Sequence, residues 1–289
     1  MTSNSGINLF MRFAAAGVCL GLAATALFYD LPLRALLWDE EWWGWFAAGV
    51  GYSWKEWVTS PLVDQWIVYL IKGFGGALGV AGTLLLWQPR PQSAAVVAFF
   101  ILLIQHFLKF KTHFWQTGQL LELGLQTAAP LLLLGWLYLA DRAGATSPTK
   151  MARELHLFWL VVRLLIAATF IGHGLYAVGI YPVPASFILM TQAGLGVTEA
   201  FAREVLTLVG VLDFLAAIAL LLPNRQSQLI ALGWIIPWAI LTSLARLWSY
   251  GGLVTVDTLL WQWLPEVVRR LPHVLIPLAL WRALRASVL

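Results

Sequence analysis

Cysteine is almost absent. Cys19 stands alone inside an apolar run, which excludes an intramolecular disulfide, a cysteine zinc site and a cysteine-ligated iron–sulfur cluster. Charge is scarce too: Asp, Glu, Lys and Arg make up 11 % of the chain, against about 25 % in a soluble domain. The chain therefore lacks the polar surface needed to cover itself in water. Several signatures are also missing. No Walker loop, no dinucleotide fingerprint after a strand, no nucleophile elbow and no histidine pair at i, i+4 with glutamate occurs. No catalytic residue and no metal-ligand set is assigned.

What is present is apolar. Hydrophobic residues account for 60 % of the 289 and the mean hydropathy is +0.78, so the solvent is expected to be lipid. A helix needs about 20 apolar residues to cross a bilayer. By that rule about eight spans are expected, near 8–28, 66–87, 93–110, 118–140, 157–179, 204–222, 228–248 and 271–287. Runs this long exclude barrel strands, so the fold class is all-α integral membrane. The last span is the least regular, because Pro265, Pro272 and Pro277 interrupt it. Ala24-Thr25-Ala26 resembles a signal-peptide cleavage site, but no basic region precedes the apolar run, so the run is expected to be retained as the first span.

The pI near 9.4 does not point to nucleic acid. The 18 Lys and Arg sit at the ends of apolar runs rather than in a stripe, as membrane-interface anchors do. They divide equally between the two sides of the bundle, so the positive-inside rule ties. The acids lean to the side opposite the N-terminus, which favours cytoplasmic termini only weakly. The 17 tryptophans fit two interfacial belts. A Trp-rich acidic stretch over 38–58, WDEEWWGWFAAGVGYSWKEW, reads as a helix on the membrane surface. It is either an ordinary anchor or a cap that docks a partner through Trp38, Trp42, Trp45 and Trp57.

A repeat organises the chain. Lys111 to Glu122 (KTHFWQTGQLLE) matches Arg246 to Asp257 (RLWSYGGLVTVD), each with a proline eight residues on, Pro130 and Pro265. Gly75 to Arg90 aligns with Gly210 to Arg225 at the same 135-residue offset. Two tandem four-helix units are expected, over 1–140 and 157–289, joined by a polar linker at 141–156 and related by an axis along the membrane normal.

An ionisable group within a span is costly and is a functional hypothesis by default. Asp213, flanked by GVL and FLAAIALLL, is the clearest case. It needs a partner, and the candidates in kind are Arg163, His173 and Arg246. It is either half of a structural ion pair or a group that handles a proton or ligand. Lys111 with Glu122, and Arg246 with Asp257, join a helix end to the next helix start and are expected to pair across the turn. A b-type haem would need His106 and His173 at matched depth; helix-packing histidines fit this sequence better. The residues specify no cofactor.

A family resemblance rests on RLLIAATFIGHGLYAVG, VLDFLAAIALLLPNRQSQLIALG and RLWSYGGLVTVDTLL. The second half resembles the DoxX/DoxD-like four-helix membrane proteins. The resemblance implies that Arg163 opens the first helix, His173-Gly174 closes it, Asp213 lies in the second helix and Asp257 follows the third. The first half keeps Arg12, Arg90, Lys111 and Glu122 but has Leu78 in place of Asp213 and no His-Gly pair. Its Trp-rich loop resembles, more weakly, the membrane domain of carboxylase-like proteins. The DoxX-like resemblance implies a bacterial inner-membrane subunit or anchor of a quinone-linked redox complex, with other subunits as partners and quinone as the compatible cofactor. A proton-coupled small-solute transporter and a purely structural subunit stay open as alternatives.

Overall fold

The computed structural model describes residues 2–286. No strand occurs among them, and the chain is a bundle of long helices. Seven are long and apolar enough to cross a membrane, over Ser5–Phe28, Pro61–Trp87, Gln92–Thr112, Thr117–Arg142, Pro148–Ala177, Glu199–Leu221 and Arg225–Gly251. The physical cause is simple: a backbone in lipid must satisfy its own polar groups, and an uninterrupted apolar run does so as a helix. We call these helices α1 (Thr2–Phe28), α5 (Pro61–Trp87), α6 (Gln92–Thr112), α7 (Thr117–Arg142), α8 (Pro148–Ala177), α10 (Glu199–Leu221) and α11 (Arg225–Gly251). The eighth expected span is a shorter helix, α14 (Leu271–Arg285), about 22 Å long at 1.5 Å per residue. Residue 287, the expected end of that span, lies outside the described residues.

Several helices begin earlier than hydropathy suggests. Ser60 caps α5 through Val63 N, with Pro61 at its first position. Helix α8 begins at Pro148, so most of the expected 141–156 linker is helical and only 143–147 connects α7 to α8. Hydropathy registers the lipid-immersed part of a helix and misses its polar extension.

Each half of the bundle packs in the same cyclic order. Helix α1 lies on α5, α5 on α6, α6 on α7 and α7 on α1. Likewise α8 lies on α10, α10 on α11, α11 on α14 and α14 on α8. The halves meet where α7 packs on α8 and α14 on α1. A glycine stands at the first of these meetings, and another where α1 meets the chain just before α14. A Cβ on Gly172 would lie 2.5 Å from Glu122 N and 2.6 Å from Gly118 O; one on Gly21 would lie 2.5 Å from Arg269 N and 2.7 Å from Pro265 O. Only a residue without a side chain lets the backbones come this close.

Between the first two long helices of each half lies an insertion. In the first half it is α2 (Leu33–Leu37), α3 (Glu40–Gly49) and α4 (Trp54–Thr59); in the second it is α9 (Ala185–Leu195). The second half carries a further insertion before α14, made of α12 (Val256–Thr258), a π-helical turn (Leu259–Trp263) and α13 (Leu264–Val268). That segment corrects the repeat register. The prolines inside the corresponding helices are Pro130 in α7 and Pro277 in α14, not Pro265, which sits at the start of α13.

The expected ion pairs across the turns do not form. Lys111 pairs with Asp39, and Asp257 is exposed on α12. Glu122 stands more than a turn inside α7, where its backbone lies against Gly172 of α8 and its side chain lines an internal cavity. In the Trp-rich segment, Trp45 is 71 % exposed and Trp38 and Trp42 are partly so, but Trp57 is 4 % exposed. Its indole donates to Leu37 O at 2.9 Å, which makes it a core anchor and removes it from any docking surface.

Asp39 fastens this segment to the bundle. Its carboxylate caps α3 by accepting from Trp42 N at 3.2 Å and meets the Lys111 ammonium, which also lies 4.6 Å from the Trp42 ring centre. The Lys111 hydrogen bond holds the Asp39 carboxyl below its ordinary pKa, with the Trp42 N–H assisting against partial burial. A lost N-cap costs about 1 kcal/mol and a partly buried ion pair near the surface up to about 1 kcal/mol. Asp39→Ala is therefore expected to destabilise the protein by about 1–2 kcal/mol at neutral pH. Because the folded-state pKa is depressed, this stabilisation is complete above the ordinary aspartate value of about 3.9 and is lost as pH falls through the lower folded value. Thermal melts of both proteins in detergent across that range should converge at the acid end.

Candidate functional site

Three helices of the second half are joined by one buried carboxylate. Asp213 on α10 is fully buried. Its Oδ2 accepts from His173 Nδ1 on α8 at 2.7 Å, and its Oδ1 accepts from Trp234 Nε1 on α11 at 3.0 Å. Both oxygens are satisfied, as a buried carboxylate requires. The opposite face of α10 carries Leu208, Leu215 and Ile218, all exposed and apolar, as a lipid-facing surface would be. With Nδ1 held by Asp213, Nε2 is the imidazole atom left to meet a ligand.

His173 lies on the wall of a cavity of about 710 Å³. Phe170, Leu206, Val209 and Trp238 supply apolar wall, and α9 closes one side with Phe187, Met190 and Leu195. The Phe187 ring lies 4.9 Å from the His173 ring, and Trp238 stacks on Trp234 at 5.6 Å. On α11, Trp234, Trp238, Thr242 and Arg246 recur every four residues and so share a face. Leu195, Leu241 and Trp248 belong to the wall yet are about half exposed. The cavity is thus open on the side of the bundle, among surfaces that face lipid.

The polar groups gather at the far end. Arg246 Nη1 donates to Thr242 O at 2.8 Å, and its Nε lies 3.9 Å from Glu266 Oε2. Arg269 and Arg270 each approach that oxygen at 2.8 Å. Glu122, Arg270 and His273 enter the same cavity from the other half's α7 and from α14 and the turn before it. His273 Nε2 lies 3.3 Å from Gln126 Nε2. The Gly172 crossing is what admits Glu122, since it brings that residue's own backbone against α8.

Of the residues expected from sequence, Glu122, His173, Asp213 and Arg246 come together. Arg163 lies on α8 ten residues before His173, about 15 Å along the helix, and is no partner of Asp213. His106 turns from α6 to Thr127, with Nδ1 2.6 Å from its Oγ1, while Lys111 and Asp257 lie elsewhere. Not singled out from sequence were Trp234, Trp238, Glu266, Arg270 and His273. One signal was present: Glu266 stands three and four residues before Arg269 and Arg270, the spacing of helical ion pairs. No group of three or more His, Cys, Asp or Glu with metal-binding geometry occurs among the described residues. Compared with family models, characterised proteins and solved structures, the chain matches none.

Removing the carboxylate leaves two buried donors, His173 Nδ1–H and Trp234 Nε1–H. An unpaired buried donor costs about 1–3 kcal/mol. Asp213→Ala is therefore expected to lower stability by about 2–6 kcal/mol, and Asp213→Asn, which keeps one acceptor oxygen, by less. Melting temperatures of the two variants in one detergent give the ordering directly.

Proposed function

We propose that this chain is a polytopic membrane subunit that receives a lipid-soluble ring of the quinone class, as part of a quinone-linked redox complex in a bacterial inner membrane. One observation carries the reading. An apolar cavity open toward lipid ends on a histidine oriented by a buried carboxylate, with arginines beside it. A helix bundle with few, convergent polar groups suits a flat apolar ring with carbonyl oxygens. Arg246 or Arg270 donates to one carbonyl. His173 Nε2 donates to another when protonated, and Asp213 stabilises that protonated ring. The electrons come from a partner subunit with its own redox centre; this chain supplies binding, orientation and a proton. In this reading both termini are cytoplasmic, the halves are one four-helix unit used twice, and the DoxX/DoxD-like resemblance belongs to the second unit. The matching packing order of the halves supports the duplication. A transporter reading expects its cavity between the halves, whereas this one lies largely within the second and opens sideways.

Decylubiquinone is expected to quench tryptophan fluorescence of the purified protein saturably, since Trp238 and Trp248 line the cavity. Leu206→Trp, which narrows it, should weaken binding, and His173→Phe should weaken it about tenfold, equivalent to about 1.4 kcal/mol. Absence of saturable quenching in folded wild-type protein would refute the reading.

A further inference from the structure

A second, smaller pocket of about 190 Å³ lies beside the large cavity and shares Met190, Arg246 and Arg270 with it. Its chemistry is different. Its wall carries the cations Lys109, Arg246, Arg269 and Arg270, against the single carboxylate of Glu266. Glu122, on the wall of the neighbouring cavity, is the other acid close enough to act on this group. The four cations thus exceed the two acids. Glu266 binds its arginines through one oxygen, Oε2. Lys109 makes no ion pair or side-chain hydrogen bond among the described residues, and the buried donors Arg269 Nε and Trp263 Nε1 have no hydrogen-bond partner among them.

An excess of buried positive charge with unused donors is unfavourable unless an anion completes it. Arginine forks and a point-charge lysine match a tetrahedral oxyanion. At about 30 Å³ per water, the pocket has the volume of roughly six waters, enough for one phosphate group. Trp263 ends the π-helical turn, a local geometry often found at functional sites, and its ring stacks on Tyr250 at 3.8 Å, which fixes the indole at the pocket wall.

We propose that this pocket binds a phosphate-type oxyanion, held by Lys109, Arg246, Arg269 and Arg270 with Trp263 donating through its indole. The anion is either the phosphate of an acidic lipid or free phosphate; the site shares Arg246 and Arg270 with the large cavity, but its argument does not rest on the quinone reading. Lys109 and Trp263 line the small pocket and not the large one, so their variants separate the two proposals.

The test uses the full chain reconstituted in phosphatidylcholine, with its melting temperature followed as phosphatidylglycerol or inorganic phosphate is added at constant ionic strength. A saturable rise is expected with at least one of them. Phosphatidylglycerol alone would identify the lipid headgroup, and phosphate alone the free anion. Lys109→Met should weaken the response at least tenfold, and the milder Trp263→Phe should weaken it while keeping the fold. Decylubiquinone quenching should be unchanged in both. If neither additive shifts the melt of folded wild-type protein, or if both variants respond as wild type does, the proposal is wrong.

Discussion

Two points of backbone contact set the rest of this structure. Where α7 crosses α8 at Gly172, and where α1 crosses the chain entering α14 at Gly21, no side chain separates the helices. In lipid, burying apolar surface does not drive helices together, so association depends on close packing and polar contacts. These crossings supply the close packing. They also decide which charges meet: one carries Glu122 against α8, and the other presses α1 against the backbone of Arg269, next to Arg270.

The polar interior follows from that placement. A carboxylate alone among apolar helices would be expensive, and Asp213 is tolerated because two helices donate to it. The same contacts tie three helices together and fix the His173 ring at the cavity wall. At the far end the balance is different, since Glu266 serves Arg269 and Arg270 and lies close to Arg246. The first half contains no counterpart to Asp213. Leu78 occupies the aligned position and is fully buried, so an apolar side chain packs there where the second half places a hydrogen-bonded carboxylate.

The insertions explain how one packing order yields two different interiors. In the first half, α2 to α4 carry their own aromatic core around Trp57 and are fastened by Asp39 to Lys111. In the second half, α9 is a single short helix that lines the cavity rather than filling it. The segment from α12 to α13 then brings Glu266, Arg269 and Arg270 to the ends of α6 and α11, where Lys109 and Arg246 wait.

Helix class, the seven long spans and the need of Asp213 for a partner were legible in the chain. Each depends on local composition: an apolar run of sufficient length has one backbone solution in lipid, and a lone acid within it must find a partner. The pairing of charges was not legible. Lys111, eleven residues before Glu122 across a turn, looks like its ion-pair partner, but Lys111 pairs instead with Asp39, 72 residues away. The same holds for Trp57, which resembles its exposed neighbours in sequence and is buried, and for Pro265, whose repeat position is taken by Pro277. Sequence by itself determined that this is a helical protein of the membrane, with a buried acid in its second half. Only the tertiary structure decided which histidine and which indole satisfy that acid, and that Lys109, Arg246, Arg269 and Arg270 converge on Glu266, because helix crossings and insertion lengths, not neighbouring residues, fix the distances between helices.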